Sequence, residues 1–187
     1  MKFKVVQIVK IGSQALFRKY DRIDINKIND LGQDVKKLRD EMEIMSVLVT
    51  SGAISLGRMA QSMHGIDDKI VEARVAASIG QVELMELYKL SLGEEVAQIL
   101  PVHETLLNEN KREEFCKVMK MLIRNGIFPV VNYNDSADDY EIRHISHFAD
   151  NDKLTESLAI MLKVDRVIIL SNVDGFMDPD SKLLERI

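Results

Sequence analysis

An α/β fold, a three-layer αβα sandwich around a mainly parallel, open sheet, is what this chain predicts, and two patterns carry that expectation. Short β-branched runs at residues 3–9, 44–49, 96–100, 128–131 and 166–170 alternate with longer segments of helical period. The chain between successive runs is long enough for crossover helices, and right-handed crossovers leave parallel strands covered on both faces. With 187 residues, 46% of them hydrophobic and 29% charged, one substantial core is expected, organised as one domain over 1–187.

The first run, Phe3 to Val9, ends at Lys10-Ile11-Gly12-Ser13. A glycine two residues beyond a lysine at a strand end lets backbone amides approach an anion while the ammonium supplies charge, although lysines beside glycine turns are also commonplace. From Ile23 to Met42, Ile25, Ile28, Leu31, Val35 and Leu38 recur at helical spacing, with Asp24 placed to cap the helix. Ile44 to Val49 is the next strand, and Thr50-Ser51-Gly52-Ala53 turns directly into a helix. There the Ser51 hydroxyl and the amides after it hold a carboxylate or phosphate, or Ser51 simply caps the helix.

Between Asp67 and Leu92 lies a long helical pattern whose Ala73, Ala76, Ala77, Ser78 and Gly80 admit close approach of another helix or of a partner subunit. A strand at Val96 to Leu100, a helix at Glu113 to Arg124 and a strand at Phe128 to Val131 follow, the last introduced by a helix-closing Gly126. A helix over residues 154–162 and a strand ending at Ser171-Asn172 complete the alternation.

The polar chemistry concentrates in residues 129–152. Asn132, Asn134, Asp135 and Asp138 lie just past the carboxyl end of one strand, and Asp150, Asn151 and Asp152 stand immediately before a helix. Ligands of open parallel sheets bind outside the carboxyl ends of strands, so both clusters are expected to meet over one crevice. Taken singly, each cluster is equally well read as turn and cap residues, with Asp150 or Asn151 capping the helix.

The formal net charge of -5 argues against nucleic acid as a partner while leaving nucleotides open. Cys116 is the only cysteine, so no intrachain disulfide framework is available, and a reducing cytoplasm fits. No run of apolar residues is long enough to span a bilayer, so no membrane partner is expected. The amino terminus reads as a first strand in which Gln7 interrupts the apolar stretch, rather than as a signal peptide. His144 and His147 are better read as surface residues than as a metal pair, and Cys116 lies within a helix, away from the strand ends where nucleophiles are displayed. The ten methionines read as core filler.

In order and separation, Lys10-Ile11-Gly12-Ser13, Ser51-Gly52-Ala53-Ile54 with Gly57, Ala76-Ala77-Ser78-Ile79-Gly80-Gln81, Asn132-Tyr133-Asn134-Asp135, Asp150-Asn151-Asp152 and Val173-Asp174-Gly175 resemble the glutamate 5-kinases of the amino acid kinase family. The resemblance runs from Val5 to Asp178. It implies transfer of the γ-phosphoryl of ATP to the γ-carboxylate of L-glutamate, the first step of proline biosynthesis. Lys10 would stabilise the transferring group, with Gly12 and Ser13 nearby, and Asp152 would position lysines. Ser51, Gly52, Ala53, Asn134, Asp135 and Asn151 would hold glutamate, with Asp135 facing its ammonium and Ser51 and Asn151 its carboxylate ends. Ser171 and Asn172 would fall on the nucleotide side. Mg2+ would arrive on the ATP phosphates, with no metal site made by the protein. Proline as a feedback inhibitor and a homo-oligomer are further implications.

The chain departs from the family pattern at Tyr133, Ala149 and Asn172. Family members continue through a glycine-rich segment and a second lysine where this sequence stops at Ile187, whether as a whole protein that lacks them or as a fragment of a longer one, so the sheet should be C-terminally truncated. These departures keep two alternatives in view: a kinase-like binding or regulatory protein without turnover, and a related small-acid kinase with another acceptor.

Overall fold

The computed structural model describes residues 3–18, 22–62, 64–138, 151–171 and 175. Its strands are β1 (Val5–Ile11), β2 (Phe17–Arg18), β3 (Arg22–Ile23), β4 (Ile44–Thr50), β5 (Val96–Ile99), β6 (Phe128–Val131) and β7 (Arg166–Leu170). The helices are α1 (Ser13–Leu16), α2 (Ile25–Met42), α3 (Ala53–Ala60), α4 (Lys69–Leu92), α5 (His103–Leu107), α6 (Glu109–Arg124) and α7 (Asp152–Leu162). Among the described residues, five strands form one sheet in the order β5-β6-β4-β1-β7, and every pairing in it is parallel. This is the αβα sandwich that the alternation predicts.

The burial of β4 follows from its central place. All seven of its residues are buried, so it reads as a continuous apolar run rather than an alternating one, as a strand covered on both faces must. Ile8, Met45, Val47, Leu48, Leu84, Val131, Leu154 and Leu158 form the heart of the core. Each large aliphatic side chain withdrawn from water contributes about 2 kcal/mol. α4 packs on α2 and α3 in one helical layer, and α6 packs on α5 and α7 in another.

Helix starts are set by short polar side chains. Asp24 accepts from the Lys27 amide, Asp68 from Ile70 and Val71, and Asn108 from Lys111. The Asn108 cap begins α6 at Glu109, four residues before the start expected from its apolar period, and the short α5 and the β2–β3 ribbon were not foreseen at all. Gly126, with φ of 73°, follows α6 as its spacing suggested.

The small residues of α4 serve α3. A Cβ on Gly80 would sit 1.8 Å from the Ala53 carbonyl oxygen, and one on Gly57 would sit 1.8 Å from that of Ala76. The two backbones therefore touch, and Arg58 grips Glu72 across the same contact with two hydrogen bonds of 2.8 and 2.6 Å. That bond to Arg58 holds the Glu72 carboxyl below its ordinary value.

Gln7 interrupts the apolar first run because it is satisfied sideways. Its Nε2 donates to Ser46 Oγ at 2.9 Å, and its Oε1 accepts from Arg166 Nε at 2.6 Å, so a polar thread crosses three strands. At the amino ends of β5 and β6, the Arg39 guanidinium donates to the Gly126 carbonyl at 2.8 Å, pairs with Glu95 and lies 4.8 Å from the centre of the Phe128 ring. No helix among the described residues is long and apolar enough to cross a membrane.

Two outcomes follow. Gly80→Ala drives its Cβ into the backbone of α3 and should cost about 3 kcal/mol or more in urea unfolding, whereas Ala77→Gly, with no clash to relieve, should cost far less. Glu72 has a lowered folded value, so its contribution is present above about pH 4.5 and is lost as pH falls through the folded value. Arg58→Met should flatten that acid limb of the stability curve, and an unchanged limb would show that the pair is too well solvated to matter.

Candidate active site

Because every pairing in the main sheet is parallel, the carboxyl ends of all five strands lie along one edge. Register then fixes which residues stand level. Ile11 is opposite Thr50 and Leu170, and Val131 is opposite Val49, so Asn132 continues level with Thr50. Lys10 is the penultimate residue of β1, and Gly12, Ser51, Asn132 and Ser171 are the first residues beyond their strands.

The start of α7 joins this edge at two points. Asn151, 4% exposed, precedes the helix, but its side chain makes no capping bond. Its Nδ2 instead donates to the Thr50 carbonyl at 2.7 Å, to Ser51 Oγ at 2.6 Å and to Asn132 Oδ1 at 3.3 Å. The expectation that the Asn151 side chain caps the helix is corrected here: its Nδ2 is bound to the Thr50 carbonyl at the end of β4, and its Oδ1 accepts no amide of α7. The next residue, Asp152, places Oδ1 2.8 Å from Lys10 Nζ. The Lys10 side chain is 15% exposed and that of Asp152 46%, so the pair opens towards solvent on the carboxylate side.

Ser51 does not cap α3 either. Gly52, with φ of 106°, occupies the cap position without a side-chain bond, a conformation that a glycine accepts readily. The hydroxyl of Ser51 is thereby left for Asn151, and the first amides of α3, beginning at the buried Ala53, point out of the helix towards the same edge. Beneath this turn the buried Tyr88 hydroxyl donates to Thr50 Oγ1 at 2.8 Å, and burial pushes that phenol well above its ordinary value.

The loop after β6 is pinned from several sides. The Asn134 amide donates to the Pro101 carbonyl at 3.0 Å, and its Oδ1 accepts from Ser136 Oγ and the Ala137 amide, so this side chain shapes its own turn. Asp138 Oδ2 accepts from the His103 amide at 2.6 Å at the start of α5, and Arg74 donates twice to the Ser136 carbonyl, at 3.0 and 2.9 Å. Asp135 stands half-buried on the stretch so fixed. Tyr133, 5% exposed, belongs to the hydrophobic core.

The structure thus brings Lys10 to Asp152 and Ser51 to Asn151, and commits much of Asn134 to loop structure. The Gly12 amide faces the Leu170 carbonyl at 3.4 Å, continuing the sheet, while the space a Cβ would take at Gly12 lies 3.8 Å from Lys10 Nζ. Ser13 opens α1, and Ser171 is exposed at the end of β7. Asn172, Ala149, Asp150, His144 and His147 lie outside the described residues. Among the described residues, no three acidic, histidine or cysteine side chains converge on a metal position. Sequence reasoning assigns no role to Thr50, Arg74, Gln81 or Tyr88; Gln81 stands there only as the last residue of the motif Ala76-Ala77-Ser78-Ile79-Gly80-Gln81.

A model of the family described as the amino acid kinase family matches residues 6–187. The chain is 33% identical over 181 residues to a protein of Clostridium perfringens named glutamate 5-kinase, covering 95% of this chain and 67% of that one. It is 31% identical to a glutamate 5-kinase of Listeria innocua (96% and 68% covered) and 33% identical to glutamate 5-kinase 2 of Bacillus subtilis (96% and 50%). The chain therefore spans between half and about two thirds of the length of these relatives. Among solved structures, a carbamate kinase of Giardia lamblia bound to citric acid superposes with a TM-score of 0.64 at 11% identity, covering 94% of this chain and 78% of that one. The same enzyme bound to AMP-PNP gives 0.60 at 15% identity, covering 91% and 72%.

Asn151→Asp sets a carboxylate oxygen against the Thr50 carbonyl and should cost about 3 kcal/mol in urea unfolding at neutral pH. Protonating that carboxyl restores a donor, so the loss should shrink as pH is lowered; a loss independent of pH would contradict the assigned amide orientation.

Proposed function

The chain belongs to the amino acid kinase family, and from that premise we propose that its strand-end crevice transfers the γ-phosphoryl group of ATP to the γ-carboxylate of L-glutamate, giving glutamyl 5-phosphate as in the first step of proline biosynthesis. The observation that carries this reading is the pair of consecutive residues at the start of α7. Asn151 reaches Thr50 and Ser51 on β4 and its turn, and Asp152 reaches Lys10 on β1. Adjacent residues on one rigid helix thus tie an amide-rich pocket to a cation at close range, as a phosphoryl acceptor and a phosphoryl donor require.

Phosphoryl transfer asks the protein mainly for positioning and charge neutralisation. An ammonium has three donors, and Asp152 takes one of them. Two remain for oxygens of the transferring group, where charge collects in the transition state. The bare Cα of Gly12 leaves room beside that ammonium for those oxygens. On the acceptor side, the free amides at the start of α3 favour a carboxylate, and the Asp135 carboxylate favours the ammonium of an amino acid. Magnesium would enter with the ATP phosphates as part of the nucleotide substrate. The names of the relatives support glutamate as acceptor, and the AMP-PNP complex of the carbamate kinase supports a nucleotide donor. The core position of Tyr133 supports an acceptor pocket not reshaped by that departure.

Calorimetric titration of the 187-residue chain tests the reading. Saturable glutamate binding, abolished by Asp135→Ala and competed by proline, is expected. Binding of the magnesium complex of a non-hydrolysable ATP analogue should weaken about tenfold or more in Lys10→Met, with glutamate affinity unchanged. Nucleotide binding without glutamate binding would overturn the acceptor assignment, and binding of neither would overturn the whole reading.

A further inference from the structure

Three side-chain amides, from Asn151, Asn132 and Gln81, run in series from the turn after β4 to the middle of α4. Their direction is not arbitrary. A backbone carbonyl only accepts, so the atom of Asn151 that faces the Thr50 carbonyl at 2.7 Å is the amide nitrogen. With the nitrogen on that side, Asn132 presents Oδ1 to it, at 3.3 Å. Asn132 Nδ2 then points the other way and donates to Gln81 Oε1 at 3.0 Å, which leaves Gln81 with its own nitrogen outermost. One backbone carbonyl thus sets the orientation of all three amides.

The two ends of the series are unlike. Asn151 Oδ1 is a buried acceptor and Gln81 Nε2 a buried donor, and neither has a partner among the described residues. Gln81 is 9% exposed on a face of α4 otherwise made of Ala77, Gly80 and Leu84, where an apolar side chain would pack without an orphaned donor. Its hydrogen bond to Asn132 is the contact that sets it apart from those neighbours.

We propose that Gln81 is a positioning residue for the acceptor pocket and that the series makes the pocket select an acid that also carries a hydrogen-bond donor. By accepting from Asn132 Nδ2, Gln81 anchors Asn132 in the orientation that the Thr50 carbonyl sets through Asn151, and Asn151 is held with its nitrogen occupied. Oδ1 is then the one atom of that amide left for a ligand, and it answers to a donor such as an ammonium, which replaces the expectation that Asn151 faces a carboxylate end of glutamate. An amino acid satisfies this pocket, and a plain dicarboxylate of the same length leaves the acceptor orphaned. Without Gln81, Asn132 Nδ2 becomes a buried donor with no acceptor, so Asn132 shifts to find one and loosens its bond to Asn151.

The inference rests on reading the crevice as the phosphoryl-acceptor site, and its test separates the two. The full chain, Gln81→Met and Gln81→Glu are titrated with glutamate, with glutarate, which lacks the ammonium, and with magnesium and a non-hydrolysable ATP analogue. The unsubstituted chain should prefer glutamate. In Gln81→Met that preference should fall roughly fivefold to tenfold, with nucleotide affinity unchanged and thermal stability unchanged or raised. Gln81→Glu keeps an acceptor oxygen opposite Asn132 Nδ2 and should retain the preference within about twofold. A Gln81→Met chain that keeps the full preference, or one that loses glutamate, glutarate and nucleotide affinity together, overturns the positioning role alone. An unsubstituted chain that binds neither acid overturns the acceptor site and the positioning role with it.

Discussion

The bond from Asn151 to the Thr50 carbonyl is the constraint on which the candidate site depends. A carbonyl at the end of a buried parallel strand needs a donor. An asparagine from the start of α7 fills the need, and in doing so brings the first turn of that helix against β4 and β1. The Lys10–Asp152 pair is then a consequence of chain continuity, since the residue after Asn151 has nowhere to stand except over the end of β1. The geometry that unites two halves of a site thus derives from satisfying one backbone oxygen.

Behind that edge, α4 serves as both core and scaffold. Its glycine and alanine face lets α3 come to backbone contact, which fixes where the free amides of α3 begin. Next to Gly80, and again two turns further on, the same helix sends Gln81 and Tyr88 to the ends of β6 and β4. Arg74, at its beginning, holds the loop after β6. A helix packed so closely cannot shift without disturbing its neighbours, so polar groups mounted on it are positioned as firmly as the core itself.

Much of the fold was legible because its signals are local. Asp24, the β4 run and Gly126 each act within a few residues, and spacing alone places them. The start of α6 and the five-residue α5 were not, since so short a helix has too few periods to announce itself and owes its existence to contacts with the loop after β6. The site divides in the same way. Single motifs around Lys10, Ser51 and Asp152 were ambiguous between turn chemistry and ligand chemistry, and only their ordered resemblance to a family joined them. Gln81 and Tyr88 escaped because their partners lie 51 and 38 residues away. Nothing in a helical stretch states which strand end it will face, and the reversal of Asn151 from cap to cross-sheet donor is likewise a tertiary outcome.

The Arg39 cluster has a bearing on how the molecule breathes. At the amino edge of the sheet one guanidinium binds a carbonyl, two carboxylates and an aromatic face, and its side chain is 9% exposed. The opposite edge is held by uncharged amides and one half-open ion pair. Local opening free energies are therefore expected to differ along each strand, lower at the carboxyl edge than at the amino edge. Amide protons near Thr50 and Asn132 are then expected to exchange through small excursions that leave the base of the sheet closed, as a crevice that takes up and releases a ligand without unfolding requires.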